Sequence, residues 1–123
     1  MSEHQRVAVL GASKNRDRYS YKAFTMLKEY GHTPIPVHPV LKELEGVAVA
    51  ASLDEIEGPV DTLTVYVGPQ HIAGEIPKIV ALRPGRVILN PGTESNELKA
   101  ALDEAGIPYM EACTLVLLRT SQF

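Results

Sequence analysis

The chain has 123 residues, the size of one compact domain, so we expect no second core. Hydrophobic residues make up 45% and charged residues 22%, which excludes a disordered or fibrous chain. The formal net charge of −3 gives no overall attraction to nucleic acid or to a membrane surface, so any anion site must be local. One cysteine, a polar start and no long apolar stretch predict a soluble, cytoplasmic protein.

The first third of the chain predicts a strand, a helix and a second strand. Residues 7–10 form a short apolar run that ends at Gly11, which is typical of a strand buried on both faces. A helix is predicted from Ser20 to a glycine cap at Gly31. Its apolar positions recur at helical spacing: Ala23, Phe24, Leu27 and Tyr30. Residues 33–37 predict a second strand that runs into a turn at His38.

The middle of the chain contains the clearest β-rich run, at residues 61–67. Before it, residues 47–49 predict a short strand, and residues 52–55 predict a helical turn capped by Ser52. After it, the apolar spacing of residues 72–80 predicts a helix. Because Pro77 lacks a backbone donor, we expect that helix to break near Glu75.

The last third predicts two more strands and a helix. Residues 86–89 and 107–110 predict the strands. Thr93 or Ser95 can cap the intervening helix, which ends at Gly106. Its apolar face consists of Leu98, Ala101, Leu102 and Ala105. Residues 114–118 form an apolar run whose state the pattern leaves open.

Strands that alternate with helices predict an α/β fold, with the whole of residues 1–123 as a single-domain, doubly wound, mainly parallel Rossmann-like sheet. Such sheets bind ligands at the carboxyl ends of the strands, where the strand order reverses. We place that reversal between the strand ending at Leu10 and the strand ending at Val67. Residues 11–18 and 68–72 should therefore face each other across the crevice.

The turn after the first strand has the chemistry of an anion site. Gly11, Ala12 and Ser13 stand between a buried strand and a helix, where backbone N–H groups can converge on a phosphate. Lys14, Arg16 and Arg18 add positive charge to an otherwise acidic chain. The alternative is a solvated loop with no ligand.

The residues after the second strand narrow the choice of nucleotide. The turn after the first strand lacks the remaining glycines of Gly-x-Gly-x-x-Gly, and no carboxylate follows the second strand to hold the ribose hydroxyls of NAD. His38, Pro39 and Lys42 stand there instead, and the histidine and the lysine suit a phosphorylated ribose. Coenzyme A or NADP fits this pattern. The alternative for His38 is a histidine in a surface turn.

Several short motifs resemble the small stand-alone CoA-binding proteins, a family similar to the N-terminal domain of the succinyl-CoA synthetase alpha subunit. The motifs, which cover nearly the whole chain, are Gly11-Ala12-Ser13-Lys14, Pro36-Val37-His38-Pro39, Val60-Asp61, Asn90-Pro91-Gly92-Thr93-Glu94, Ala105-Gly106-Ile107-Pro108 and Cys113-Thr114-Leu115-Val116. His38 and Gly68 depart from the family pattern. The synthetase's phosphorylated histidine and ATP-grasp partner belong to other domains, so ligase activity does not carry over.

This resemblance implies a Rossmann-type sheet that holds CoA. The phosphates would lie at Gly11, Ser13 and Lys14, and the ribose with its phosphate near Pro39. The adenine would lie by Val67, Pro69 and Ile72, and Asn90 and Thr93 would border the pantetheine path.

Together these observations predict non-catalytic binding of coenzyme A or an acyl-CoA, in a regulatory or carrier role. The alternatives are a minimal NADP-binding oxidoreductase and an interaction module without ligand. The histidine spacings do not suit a metal, and we name no catalytic residue. His71 is the histidine placed nearest the crevice, and Cys113 is either a buried apolar residue or a partner for the thiol of CoA in a mixed disulfide. A homodimer or another protein partner stays open.

Overall fold

The computed structural model describes residues 4–123 and contains a five-stranded parallel sheet with helices on both faces. The strands are β1 (Arg6–Leu10), β2 (Thr33–Val37), β3 (Glu43–Leu44), β4 (Val47–Ala48), β5 (Thr62–Val65), β6 (Arg86–Leu89) and β7 (Tyr109–Glu111). The helices are α1 (Tyr19–Glu29), α2 (Ile76–Leu82), α3 (Asn96–Ala105) and α4 (Thr114–Arg119). Single 3₁₀ turns occur at Leu53–Glu55 and Ala73–Glu75. Residues 1–3 of the predicted domain lie outside the described residues.

The sheet order is β2-β1-β5-β6-β7, and all neighbouring strands are parallel. The chain first moves from β1 to β2, then returns past β1 and continues in the other direction from β5. The strand order therefore reverses between β1 and β5, as the sequence predicted. This arrangement confirms the doubly wound α/β fold.

Two apolar cores cover the two faces of the sheet, because alternate residues of a strand point in opposite directions. Ala8 and Leu10 pack into the core under α2 and α3, whereas Val7 and Val9 pack into the core under α1 and α4. Phe24 of α1 is fully buried in the second core. Burial on both faces explains why the strands read as continuous apolar runs.

The segment between β2 and β5 differs from its prediction. The short strand predicted at residues 47–49 is present as β4, but it pairs with β3 in a two-stranded antiparallel hairpin outside the main sheet. Glu45 and Gly46 both have positive φ, which is the geometry of a tight hairpin turn. The Leu-Lys-Glu-Leu run gave no β signal, so β3 was missed. The main strand predicted at 61–67 is also shorter, since β5 ends at Val65.

The helix signals were more reliable. A 3₁₀ turn ends at Glu75, and Pro77 then lies in the first turn of α2, where its missing N–H leaves no bond unmade. Ser95 caps α3 by accepting a hydrogen bond from the Leu98 amide at 3.1 Å. Ser52, by contrast, makes no capping bond to its 3₁₀ turn. The undecided run at 114–118 is helical, as α4, and no helix within residues 4–123 is long and apolar enough to cross a bilayer.

Candidate functional site

A cavity of about 520 Å³ opens at the carboxyl edge of the sheet, where the strand order reverses. One wall is formed by the loop after β1 and by the start of α1, and the other by the loop after β6. His38, Tyr66 and Gly68 complete the lining. We call this space the main cavity.

Gly11 occupies the closest approach between the loops that follow β1 and β5. Its φ is +92°, a conformation that residues with a side chain rarely adopt. A Cβ atom there would lie 3.1 Å from the backbone of Tyr66 and 3.1 Å from Cγ2 of Val67. Glycine is therefore required at this position for two reasons: the positive φ of the turn and the close approach of Tyr66 and Val67.

The loop after β1, which borders the main cavity, contains backbone N–H groups that make no hydrogen bond. Within residues 4–123, the amides of Gly11, Ser13 and Lys14 make no hydrogen bond, whereas the Ala12 amide is occupied by the Val37 carbonyl at 3.2 Å. Arg18 stands at the N-cap of α1 without a side-chain cap, and no acidic residue lies in the first turn. The positive end of the α1 dipole is thus left free for an anion.

The cations predicted around this loop lie at different distances from the main cavity. Arg18 lines its wall, whereas Lys14 and Arg16 are exposed and form no part of its lining. In the described part of the chain, none of these three side chains forms a salt bridge. They supply positive charge around the opening, and only Arg18 borders it.

His38 is held in a defined tautomer. Its Nδ1 accepts hydrogen bonds from the amides of Val40 at 3.1 Å and Leu41 at 2.9 Å. Because both partners donate, Nδ1 acts as the acceptor and the ring N–H lies at Nε2. His38 therefore offers one hydrogen-bond donor. Lys42 is exposed and lines neither the main cavity nor its neighbour at Gly11.

A second cavity, of about 290 Å³, adjoins the main cavity at Gly11. Pro39, predicted near the ribose, and Val67, predicted near the adenine, both line it, together with His71. Ile72 is instead fully buried in the core and supports this region from behind. Pro69 is exposed and lines neither cavity.

Both polar atoms of the Asn90 side chain form hydrogen bonds to other parts of the protein. Its Nδ2 donates to the Thr64 hydroxyl at 2.7 Å and to the Val65 carbonyl at 2.9 Å, and its Oδ1 accepts from the Thr114 amide at 2.9 Å. Asn90, which was expected to border the pantetheine path, lines a further cavity that adjoins the main cavity, although its side chain is hydrogen-bonded at both ends. Thr93 does line the main cavity, but its hydroxyl donates to the Asn90 carbonyl rather than capping α3.

Tyr66 is the main residue of the site that the sequence did not single out. Its hydroxyl oxygen is buried and makes no hydrogen bond of acceptable geometry, and burial raises the pKa of the phenol to about 12. The nearby hydroxyls of Thr64 and Thr114 moderate that rise in pKa, but they are bonded to each other at 2.8 Å. A buried hydroxyl left unpaired costs about 1–3 kcal/mol. The sequence feature that could have identified Tyr66 is its position directly after the buried strand β5.

A third cavity, of about 260 Å³, lies beyond Tyr66. Tyr19, Tyr66 and Pro91 line both this cavity and the main one, so the two adjoin. Cys113, half-buried at the N-cap of α4, lines the third cavity together with Leu115. Among residues 4–123, no cluster of three or more His, Cys, Asp or Glu side chains is arranged to hold a metal.

The fold and the cavities define a doubly wound α/β domain with a cavity at its switch point. The model of the CoA-binding domain family matches residues 5–119, and the chain belongs to that family. This finding confirms the family that the sequence motifs indicated.

Two curated relatives match part of the chain. The uncharacterized protein YneT of Bacillus subtilis (strain 168) is 34% identical over 74 residues, which cover 60% of this chain and 55% of that protein. The alpha subunit of acetate–CoA ligase [ADP-forming] II of Pyrococcus furiosus is 39% identical over 67 residues, which cover 54% of this chain but only 15% of the subunit. The alignments thus span about half of the first relative and a small part of the second.

Solved structures match the fold along nearly the full chain. One uncharacterized protein superimposes with a TM-score of 0.92 at 41% identity, covering 99% of this chain and 100% of its own. A protein from Thermus thermophilus has a TM-score of 0.88 at 37% identity, covering 98% of this chain and 91% of its own.

Proposed function

We propose that this protein binds coenzyme A without transforming it, with the pyrophosphate at the start of α1. The observation that carries the proposal is the row of unbonded amides at Gly11, Ser13 and Lys14 beside an uncapped helix N-terminus. These donors point to an anion, and the CoA-binding family supplies its identity. Arg18 on the same wall adds a charge-assisted donor.

The cavities give each part of the ligand a place in this proposal. The second cavity, with Pro39, Val67 and His71, takes the adenine and ribose. The pantetheine arm follows the main cavity past Pro91 and Thr93. The ribose phosphate lies towards the Nε2–H of His38 and the ammonium group of Lys42, which distinguishes CoA from dephospho-CoA.

The chemistry of the lining supports a binding role over catalysis. A proton carrier needs a pKa near the working pH. The Tyr66 phenol, with its pKa raised to about 12 by burial, stays protonated, and the Nδ1 of His38 is occupied by two amides. A minimal NADP-dependent oxidoreductase would also need a substrate pocket with a proton donor. We therefore propose a carrier or regulatory module.

Calorimetry with CoA, dephospho-CoA, NADPH and NADH at one salt concentration tests this proposal. We expect CoA to bind most tightly and dephospho-CoA to bind less tightly. Tighter binding of NADPH would support the oxidoreductase instead, and no binding of any of the four ligands would support an interaction module.

Ser13→Asp tests the position of the pyrophosphate. The new carboxylate would face the diphosphate across a short distance, so we expect CoA affinity to fall by about 10–100-fold. Ser121→Asp makes the same charge change at the C-terminus and should leave affinity unchanged. Equal CoA affinity in the two variants would place the anion elsewhere.

A further inference from the structure

The third cavity continues the path that the proposed function assigns to the pantetheine arm. Tyr19 and Pro91 line both the main cavity and the third cavity, so the two spaces adjoin there. The proposed function places the pyrophosphate of the ligand beside Gly11, in the lining of the main cavity. A group attached to the sulfur of CoA would therefore extend past Pro91 into the third cavity.

The charged residues that line these two cavities are all cationic. The chain carries 15 acidic residues, yet among residues 4–123 no Asp or Glu belongs to the lining of either space. Two arginines do line them, Arg18 in the main cavity and Arg119 in the third cavity. Each cavity therefore has a guanidinium group with no acidic residue of the protein in the same lining.

Arg119 is the charged residue of the third cavity. It lies exposed in the last turn of α4 and forms no salt bridge within the part of the chain that the structure describes. Leu115, Pro91 and Cys113 supply apolar surface, and the polar side-chain atoms of Asn90 are bonded within the protein. A space with apolar walls and one guanidinium fork suits a short hydrocarbon chain that ends in an acid group.

From this arrangement we infer that the third cavity holds an acyl group that ends in a carboxylate, carried by CoA as a thioester, and that Arg119 binds this carboxylate. The inference rests on the proposed binding of CoA. It narrows the ligand of that site to the CoA thioester of a dicarboxylic acid. A carboxylate is chosen over a phosphate because the proposed function already assigns the phosphates of CoA to the start of α1 and to His38.

The volume of the third cavity limits the length of the acyl group. A space of about 260 Å³ holds roughly eight groups the size of a water molecule. A glutaryl group has about eight non-hydrogen atoms and reaches that limit, and malonyl and succinyl groups are smaller. Longer dicarboxylic acyl groups exceed it.

Calorimetry at low salt on the full chain tests the inference with three matched pairs of ligands. Malonyl-CoA, succinyl-CoA and glutaryl-CoA are compared with propanoyl-CoA, butanoyl-CoA and pentanoyl-CoA, which have the same numbers of carbon atoms but no carboxylate. We expect the carboxylate to raise the affinity by about tenfold in the pair whose length best fits the cavity, because it gains a charge-assisted contact.

Arg119→Gln removes the charge and should lower this affinity ratio to about one, while the affinity for free CoA stays unchanged. Arg119→Glu reverses the charge and should bring the ratio below one. The matched control is Arg83→Gln, because Arg83 is also exposed at the C-terminal end of a helix, α2. A cation that only stabilises a helix end would not affect the ratio in any variant. Thermal unfolding of each variant checks that it is folded.

The outcomes separate this inference from the proposed function. If CoA binds but no carboxylate raises the affinity, or if the carboxylate preference survives in Arg119→Gln, the inference is wrong while CoA binding stands. If Arg119→Gln weakens free CoA as much as the carboxylated ligands, Arg119 contacts a phosphate and the inference is again wrong. If neither CoA nor any acyl-CoA binds, the proposed function itself fails.

Discussion

Gly11 shows how a single position joins the fold to the candidate site. Its positive φ turns the chain out of β1, and its missing side chain lets the loop approach Tyr66 and Val67. The same turn leaves the amides of Ser13 and Lys14 free of backbone partners. The residue that closes the turn therefore also shapes the loop where we propose that the pyrophosphate binds.

Gly11→Ala should destabilise the protein by about 1–3 kcal/mol, because a Cβ at this φ is strained and meets neighbours at 3.1 Å. Urea unfolding measures the change in the free energy of unfolding. Gly74→Ala is the matched control, since a Cβ there has no neighbour within 4 Å, and it should change stability by less than about 0.5 kcal/mol. Equal stability of the two variants would contradict this account of Gly11.

The sequence identified the residues of the loop after β1, but it did not show which side chains of the site are free to contact a ligand. Gly11 and Ser13 line the main cavity as expected. Ile72 was expected near the adenine but packs into the core, whereas Asn90 lines the third cavity while hydrogen bonds occupy its side-chain atoms. Residue type and position reveal that a side chain lies near a site, whereas its partners decide whether it is free.

At the scale of elements, Asn90 links β5 and α4 to the end of β6. One side chain bonds Thr64 and Val65 in β5 and the first amide of α4. The short helix α4 lacks a side-chain cap at Cys113, so this bond satisfies one of its free N–H groups. Leu115 and Arg119 of α4, with the N-cap residue Cys113, in turn line the third cavity.

Asn90→Ala should destabilise the protein by about 2–4 kcal/mol, since it leaves the buried Thr114 amide and Val65 carbonyl without these partners. Chemical denaturation measures the loss, with Asn96→Ala on the exposed start of α3 as the matched control. A loss below about 0.5 kcal/mol would contradict the structural role of Asn90.

At the scale of the whole molecule, an acidic protein would bind an acidic ligand through a local excess of positive charge. The formal net charge is −3, yet Lys14, Arg16 and Arg18 lie within five residues of one another at the loop beside the main cavity. Exposed charges act over roughly 10 Å at 0.1 M salt and roughly 3 Å at 1 M. The contribution of these cations to binding must therefore depend on ionic strength.

CoA affinity should fall by about tenfold between 0.05 and 1 M NaCl, as calorimetry or competition binding can measure. Replacing Lys14, Arg16 and Arg18 with Gln should weaken binding at low salt and flatten this dependence. The matched control replaces Lys28, Arg83 and Lys99 with Gln, so that each triple variant changes the net charge from −3 to −6. An equal salt dependence in both variants would show that the loop cations do not act locally.

The sequence by itself determined the α/β class, the parallel order of elements, the switch point after Leu10 and the family, because these follow from local periodicity, turn residues and short motifs. Only the tertiary structure decided the β3–β4 hairpin, the bonding of Asn90, the tautomer of His38 and the third cavity beside Tyr66. The β3–β4 hairpin is local, and it was missed because residues 41–44 carry no β pattern. The bonding of Asn90 and the third cavity depend on contacts between residues far apart in the chain, and the tautomer of His38 depends on side-chain direction. Local pattern carries no record of such contacts, so the shape of the site emerges only when the elements pack.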